Sequence, residues 1–460
     1  MGFSRAIITM SNRTISRWPK NKVQQTKLAL WGGLECTVNR VGDDYQDQVI
    51  RSGHHQRPQD IDLIASLGIS ALRYPVLWER TAPNHPDELD WSWPDERLNR
   101  LQQVGIQPIV GLVHHGCGPR YATYDNPAFA SELARYAGRV AERYPWIDAY
   151  TPVNEPLTTA RFGGLYGHWY PHGYSSRVFV DLLLNECRAT VLAMAEIRKV
   201  RPDAQLIQTD DLGKTHSTPL LNYQAELENE RRWLSWDLLC GRVTPEHPLW
   251  DYLCRSGASE RDLWFLVEHA CPPSLIGVNH YVTSERYLDH RVHKYPPHIC
   301  GGNGRHRYID TEVVRGAPNQ RTGLGGLLLE AWQRYGIPMV VTEAHLGDRE
   351  EEQMRWLGEI WQQAQQAKAL GVDVRAVTCW ALMGLYDWHC LLTRRENKHE
   401  PGVFNVSSGH PEPTALVSML QGLAAGKPVE SLVPPGLGWW QVEHQFSALR
   451  SSFANAIQLC

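Results

Sequence analysis

Eight short apolar runs punctuate the chain, and the segments between them repeat apolar positions at helical spacing. The runs are Leu28–Gly33, Ser70–Val76, Gln107–Val113, Ile147–Val153, Ala204–Thr209, Ser274–Tyr281, Pro338–Glu343 and Arg375–Leu382. Runs that are apolar almost throughout read as strands covered on both faces, as in a parallel sheet. After Asn126-Pro127, a cap and first-turn pair, Phe129, Leu133, Tyr136, Ala137, Val140 and Tyr144 fall on one helical face. Asp60 to Leu67 repeats the pattern more briefly, with Gly68 as its stop. Eight β-then-α units predict an α/β fold, a single-domain (β/α)8 TIM barrel. An open doubly wound sheet is the competing architecture, but no Gly-rich dinucleotide fingerprint follows any run.

Three stretches depart from this rhythm. Residues 1–25 are polar and predict a loose N-terminal segment, leaving 26–425 for the barrel. Residues 290–325 are so rich in Gly, Pro and His that they predict a long loop without regular structure between the sixth and seventh strands. Residues 426–460 form a C-terminal tail containing PPG and Trp439-Trp440, followed by a short helix.

Composition narrows the function. With 46 basic and 50 acidic side chains the formal charge is −4, without the positive excess that phosphate or nucleic-acid surfaces need. No run approaches the ~20 apolar residues of a membrane span. The N-terminal stretch lacks the apolar core and cleavage site of a secretory signal, and the ten cysteines are scattered with no CxxC. Free thiols in a reducing compartment are therefore expected, and the cytoplasm is the default address. Trp 18 and Tyr 18 against Phe 8 supply flat faces with polar edges, which suit sugar stacking as well as ordinary cores.

Reactive groups of a barrel sit where strands end at the C-terminal rim. Glu155 follows the fourth run and Glu343 ends the seventh. Either alone reads equally as a solvated loop residue. Facing each other across one rim, they form the pair that glycosidic cleavage requires, one protonated to assist the leaving oxygen and one ionised to attack. Metal catalysis has no supporting HExxH or Cys/His set, and adjacent histidines in a strand, such as His114 and His115, point to opposite faces. GxSxG and P-loop motifs are missing as well.

The ordered motifs resemble glycoside hydrolase family 1, the β-glucosidase family of retaining (β/α)8 glycosidases. Trp31-Gly32-Gly33 is similar to its opening Trp-Gly-Ala, and Leu72 to Arg80 (LRYPVLWER) to its Phe-Arg-Phe-Ser-Ile-Ser-Trp-Ser-Arg run. Val113-His114-His115 stands for Tyr-His-Trp, Thr151 to Pro156 for Thr-Phe-Asn-Glu-Pro, and Gly277 to Tyr281 for Gly-Ile-Asn-Tyr-Tyr. Thr342-Glu343 opens as Thr-Glu-Asn-Gly does, and Cys379 to Leu382 with Tyr386-Asp387-Trp388 echoes the Trp-Ser and Phe-Glu-Trp region. The resemblance spans Trp31 to Phe404.

That resemblance implies hydrolysis of a β-linked saccharide or glycoside by double displacement, without cofactor or metal. Glu155 would be the acid and then the base, and Glu343 the nucleophile. Arg73, Asn279 and Tyr281 would support the nucleophile, Arg73 by keeping it ionised. Asn154 would bind the sugar 2-hydroxyl, and His114 and Trp380 the 3-hydroxyl. Asn39 and Asp387 align with the Gln and Glu that grip the 4- and 6-hydroxyls, each one methylene shorter, so the pocket should recede there for a sugar that differs from glucose or carries a substituent at that end. Ala344-His345 alters the rim beside the nucleophile, and His115 adds a polar group near the entrance. WGGLECTVNRVGDDYQ also resembles a bacterial branch in which such a barrel is fused to a sugar-nucleotide reductase. The alternative is a silent or transglycosylating glycan-binding barrel of polysaccharide or sugar-nucleotide metabolism. An inverting mechanism stays open too, and carboxyl groups ~6.5–9.5 Å apart would mark it. The oligomeric state is left open.

Overall fold

A computed structural model describes residues 27–442. Eight parallel strands close into a barrel in sequential order. They are β1 (Ala29–Gly33), β2 (Ala71–Pro75), β3 (Gln107–His114), β4 (Ala149–Asn154), β5 (Gln205–Asp211), β6 (Leu275–Asn279), β7 (Met339–Ala344) and β8 (Val374–Cys379). Each overlaps one predicted run. Ala71, Ile109, Ala149, Ile207, Leu275, Val340 and Ala376 fill the lumen as one buried cluster, so the barrel is packed rather than open.

The outer faces of the strands are covered by helices that include α1 (Asp60–Ala65), α2 (Ser92–Val104), α3 (Phe129–Arg143), α4 (Ser176–Val200), α5 (Glu260–Glu268), α6 (Gly323–Tyr335), α7 (Glu350–Ala369) and α8 (Ala415–Ala424). In α3 the predicted face, Phe129, Leu133, Tyr136, Ala137 and Val140, is buried. The helix starts later than Asn126-Pro127 predicts. Asn126 Oδ1 accepts the Ala128 N–H at 2.9 Å, so the side chain closes a turn before the helix instead of capping it. At the end of α1, Gly68 has φ +76°, the left-handed conformation that stops the helix.

Residues 290–325 are more regular than their composition suggests. Arg307–Glu312 is a strand, pairing antiparallel with Arg286–Asp289 and with Gly301–Gly302, and Thr215–Ser217 completes a four-stranded sheet. Within this sheet Tyr308 and Ile309 are buried, and the Pro- and His-rich stretch 292–299 forms two short helical turns before it. The sheet stands on the C-terminal rim and walls one side of the central cavity. The N-terminal segment lies outside the described residues, as does the stretch beyond Val442 where the sequence predicts a short helix. The described tail contributes two short turns, and its Trp440 buries edge-on against Trp356.

Candidate active site

Strand register brings the chemistry to one level. Glu343 on β7 is the register partner of Asn279 on β6, and Asn279 pairs in turn with Asp211 on β5. On the opposite side His114 ends β3 level with Asn154 on β4. One residue later, Glu155 has φ +46°, a left-handed backbone that a residue with a Cβ adopts at a cost of about 1–2 kcal/mol. That turn directs the chain into the helix Pro156–Ala160 and leaves the carboxyl at the rim. Glu155 is 4% exposed and Glu343 2%. Both line a cavity of about 1560 Å³ that opens outward between the rim excursions.

The two carboxyls have different partners. Arg73 Nη1 donates to Glu343 Oε1 at 2.5 Å, and Tyr281 Oη donates to Glu343 Oε2. Asn279 Nδ2 donates to Glu155 Oε1, while its Oδ1 accepts from Thr342 Oγ1 at 2.6 Å. The Asn279 amide also favours the charged form of Glu343, so it serves both groups rather than the predicted nucleophile alone. Burial raises both carboxyls, but the balance separates them. Glu343 is pulled back by the Arg73 charge and the Tyr281 and Arg73 hydrogen bonds. Glu155 is pushed well above the usual range by burial, then by the charges of Glu343, Asp211 and Asp210. Glu343 therefore ionises first and Glu155 holds its proton, the division of states that an acid and a nucleophile need.

The predicted hydroxyl-binding groups stand behind this wall. Asn154 Oδ1 accepts from Arg73 Nη2 at 2.6 Å and from Thr209 Oγ1 at 2.7 Å. Its Nδ2 faces His114 Nε2 and His115 Nε2 at 3.4 and 3.3 Å. His114 stacks on Trp380 with ring centroids 5.3 Å apart, and Arg73 lies over the same indole at 4.6 Å. A Cβ on Gly33 would come within 2.4 Å of that indole, so the second glycine of Trp31-Gly32-Gly33 makes room for Trp380.

Two aligned positions serve the scaffold. Asp387 is fully buried and its oxygens accept from Arg51 Nη2 at 2.5 Å and from the backbone N–H groups of Glu396, Asn397 and Lys398. The carboxylate organises its own loop and is absent from the cavity wall. Asn39 sits in the hairpin Val38–Val41/Asp44–Asp47, where its amide and that of Gln46 both donate to the Leu392 carbonyl. It too lies off the cavity wall, and its Oδ1 has no protein partner.

The histidine pair also departs from expectation. His115 follows the strand with φ +52°, so its ring swings beside that of His114, centroids 4.9 Å apart, instead of to the opposite face. It is buried on the cavity floor, 3.9 Å from Glu155 Oε2, rather than at the entrance. Burial and the Arg73 charge push it down to about 3, so the ring is neutral beside the acid. Among the described residues no group of three His, Cys, Asp or Glu is placed to hold a metal.

Several wall and support residues escape the sequence reading. Glu35 lines the cavity and accepts from Thr37 N and Trp380 Nε1. Asp210 accepts from Leu157 N and Thr158 Oγ1 in the helix that begins after Glu155. Asp211 accepts from Ser284 Oγ, which itself accepts from Tyr281 N at 2.9 Å. The signal for the aspartates was their place at the end of the fifth run; nothing in the sequence marked Glu35 as facing the cavity.

Comparison with known proteins agrees with this geometry. The sequence model of Glycosyl hydrolase family 1 matches residues 26–242. Beta-glucosidase 4 of Oryza sativa subsp. japonica is 23% identical over 445 residues, covering 84% of this chain and 87% of that protein. A 6-phospho-beta-glucosidase of Dickeya chrysanthemi is 24% identical over 385 residues, 76% of this chain and 80% of its own length. The family 1 b-glucosidase structure from Thermotoga maritima shares the fold at a TM-score of 0.69 and 16% identity, over 87% of this chain and 98% of that one. Residues 26–242 of the chain are thus similar in sequence to glycosyl hydrolase family 1, and the described fold is that of a family 1 b-glucosidase.

Proposed function

We propose that this chain hydrolyses β-glycosidic bonds by double displacement, with Glu343 as nucleophile and Glu155 as acid and then base. The observation that carries the reading is the unequal environment of two buried carboxyls that line one cavity. Glu343 has a guanidinium and a phenol to hold its charge, whereas Glu155 has burial and neighbouring negative charge to hold its proton. In the first step Glu343 attacks the anomeric carbon and Glu155 protonates the departing oxygen. In the second step Glu155, now ionised, takes a proton from the water that releases the sugar from Glu343. The outer cavity, lined by Tyr166, Tyr252, Trp388 and Trp439, suits an aglycone that stacks.

The relatives named above include a β-glucosidase and a 6-phospho-β-glucosidase, and both sugar classes belong in the trial set. No described helix is long and apolar enough to cross a membrane. A cytoplasmic, reducing compartment fits the nine described cysteines, all free thiols. The test is nitrophenol release from gluco, galacto, fuco, manno, xylo and 6-phospho aryl β-glycosides. Turnover by wild type that disappears in Glu343→Gln is the expected result. Silence across the panel from folded protein would overturn hydrolysis in favour of glycan binding or transfer.

A further inference from the structure

We infer that Glu35 is a specificity-determining residue of this site, its carboxyl accepting hydrogen bonds from adjacent hydroxyls of the sugar that occupies the cavity floor. The inference rests on the glycosidase reading above and adds a contact that the family alignment places elsewhere. Glu35 lies just beyond β1, 5% exposed, and lines the same cavity as Glu155 and Glu343. Three of the groups expected to grip the sugar have their polar atoms engaged by the protein. Trp380 Nε1 donates to Glu35 Oε2 at 3.3 Å, both ends of the Asn154 amide are engaged, and Asp387 is surrounded by four donors. Beside Trp380 the Glu35 carboxyl lines the cavity.

Its bonding leaves capacity. Oε1 accepts one N–H, from Thr37 at 2.9 Å, and Oε2 accepts the Trp380 N–H. Each carboxylate oxygen takes two hydrogen bonds, so acceptor capacity remains beside the Thr37 and Trp380 donors. Burial raises the carboxyl to about 7 against the lowering pull of the Thr37 and Trp380 hydrogen bonds. Two adjacent hydroxyls are the donors a sugar brings. Stacking of the indole against His114 and Arg73 holds Trp380, and through it Glu35, in a fixed orientation.

Two readouts on wild type, Glu35→Gln and Glu35→Asp separate this contact from the chemistry. Calorimetric binding of methyl β-glycosides, followed by mono-deoxy analogues of the tightest sugar, tests Glu35. Aryl β-glycoside turnover tests the glycosidase reading. Both variants should bind the parent sugar about tenfold or more weakly, and bind one or two deoxy analogues as wild type does. Equal weakening for every sugar and analogue would make Glu35 a support for Trp380 and overturn the inference, with turnover by wild type leaving the glycosidase reading intact. Selective weakening without turnover in wild type would keep the inference and remove hydrolysis. Failure of wild type to bind any sugar would overturn both.

Discussion

Arg73 and Glu343 meet across the barrel floor, Nη1 to Oε1 at 2.5 Å, with both side chains almost fully buried. The other arm of the guanidinium holds Asn154, next to Glu155, so one planar group ties the two carboxyl-bearing strand ends together. Lysine cannot make both contacts. Arg73→Lys should lower kcat/KM about 100-fold on activated aryl glycosides, through loss of alignment. Arg73→Met removes the charge that favours ionised Glu343, so the acidic limb of the pH–rate profile should move to higher pH. An unmoved limb would separate Arg73 from the ionisation of Glu343.

Tyr281→Phe deletes the hydrogen bond to Glu343 Oε2 while leaving the ring. A hydrogen bond to a charged group is worth roughly 1.5–3 kcal/mol, so kcat/KM should fall by about 10–100-fold. Because the phenol lowers the Glu343 carboxyl, the acidic limb should again rise. Comparing pH profiles of wild type and variant checks both effects.

Asp210 acts on the other limb. Its charge raises Glu155, and its own carboxyl is pushed to about 6 by burial, so it is ionised where the basic limb falls. Asp210→Asn keeps an acceptor for Leu157 N and removes the charge. Glu155 should then lose its proton at lower pH, and the basic limb should shift downward while the acidic limb stays. A shift upward would contradict the proposed role of Glu155 as the acid.

Asp387→Ala separates scaffold from recognition. Removing the carboxylate strands Arg51 and three backbone N–H groups, and breaking such a buried pair costs about 3–5 kcal/mol. The thermal midpoint should fall by several degrees while KM changes little across sugars, measured below the transition. A KM increase confined to sugars with particular hydroxyl arrangements would return Asp387 to the substrate site.

The barrel was legible because each strand is buried on both faces, so apolar runs such as Gln107–Val113 stand out without any partner being known. The proposed acid and nucleophile were legible because Glu155 closely follows one such run and Glu343 ends another. What alternation could not show was backbone handedness. His115 and Glu155 both leave their strands with positive φ, and at His115 this cancels the two-face rule that separated it from His114. Asn126-Pro127 misled for a related reason, since the Asn side chain serves a turn as readily as a helix cap. The family alignment carried residue types to Asn39 and Asp387 but not their directions, which depend on the loop 387–398 that both support. Glu35 was hidden because the side chain it pairs with, Trp380, lies 345 residues away in the chain.

The double displacement is tested most directly by trapping its intermediate. A 2-deoxy-2-fluoro aryl β-glycoside of the preferred sugar should slow the second step and leave the glycosyl group on the protein. Peptide mass spectrometry should then place one sugar on Glu343, with wild-type turnover of the ordinary glycoside giving product of retained anomeric configuration. Label on Glu155, or inverted product with no label at all, would contradict Glu343 as the nucleophile.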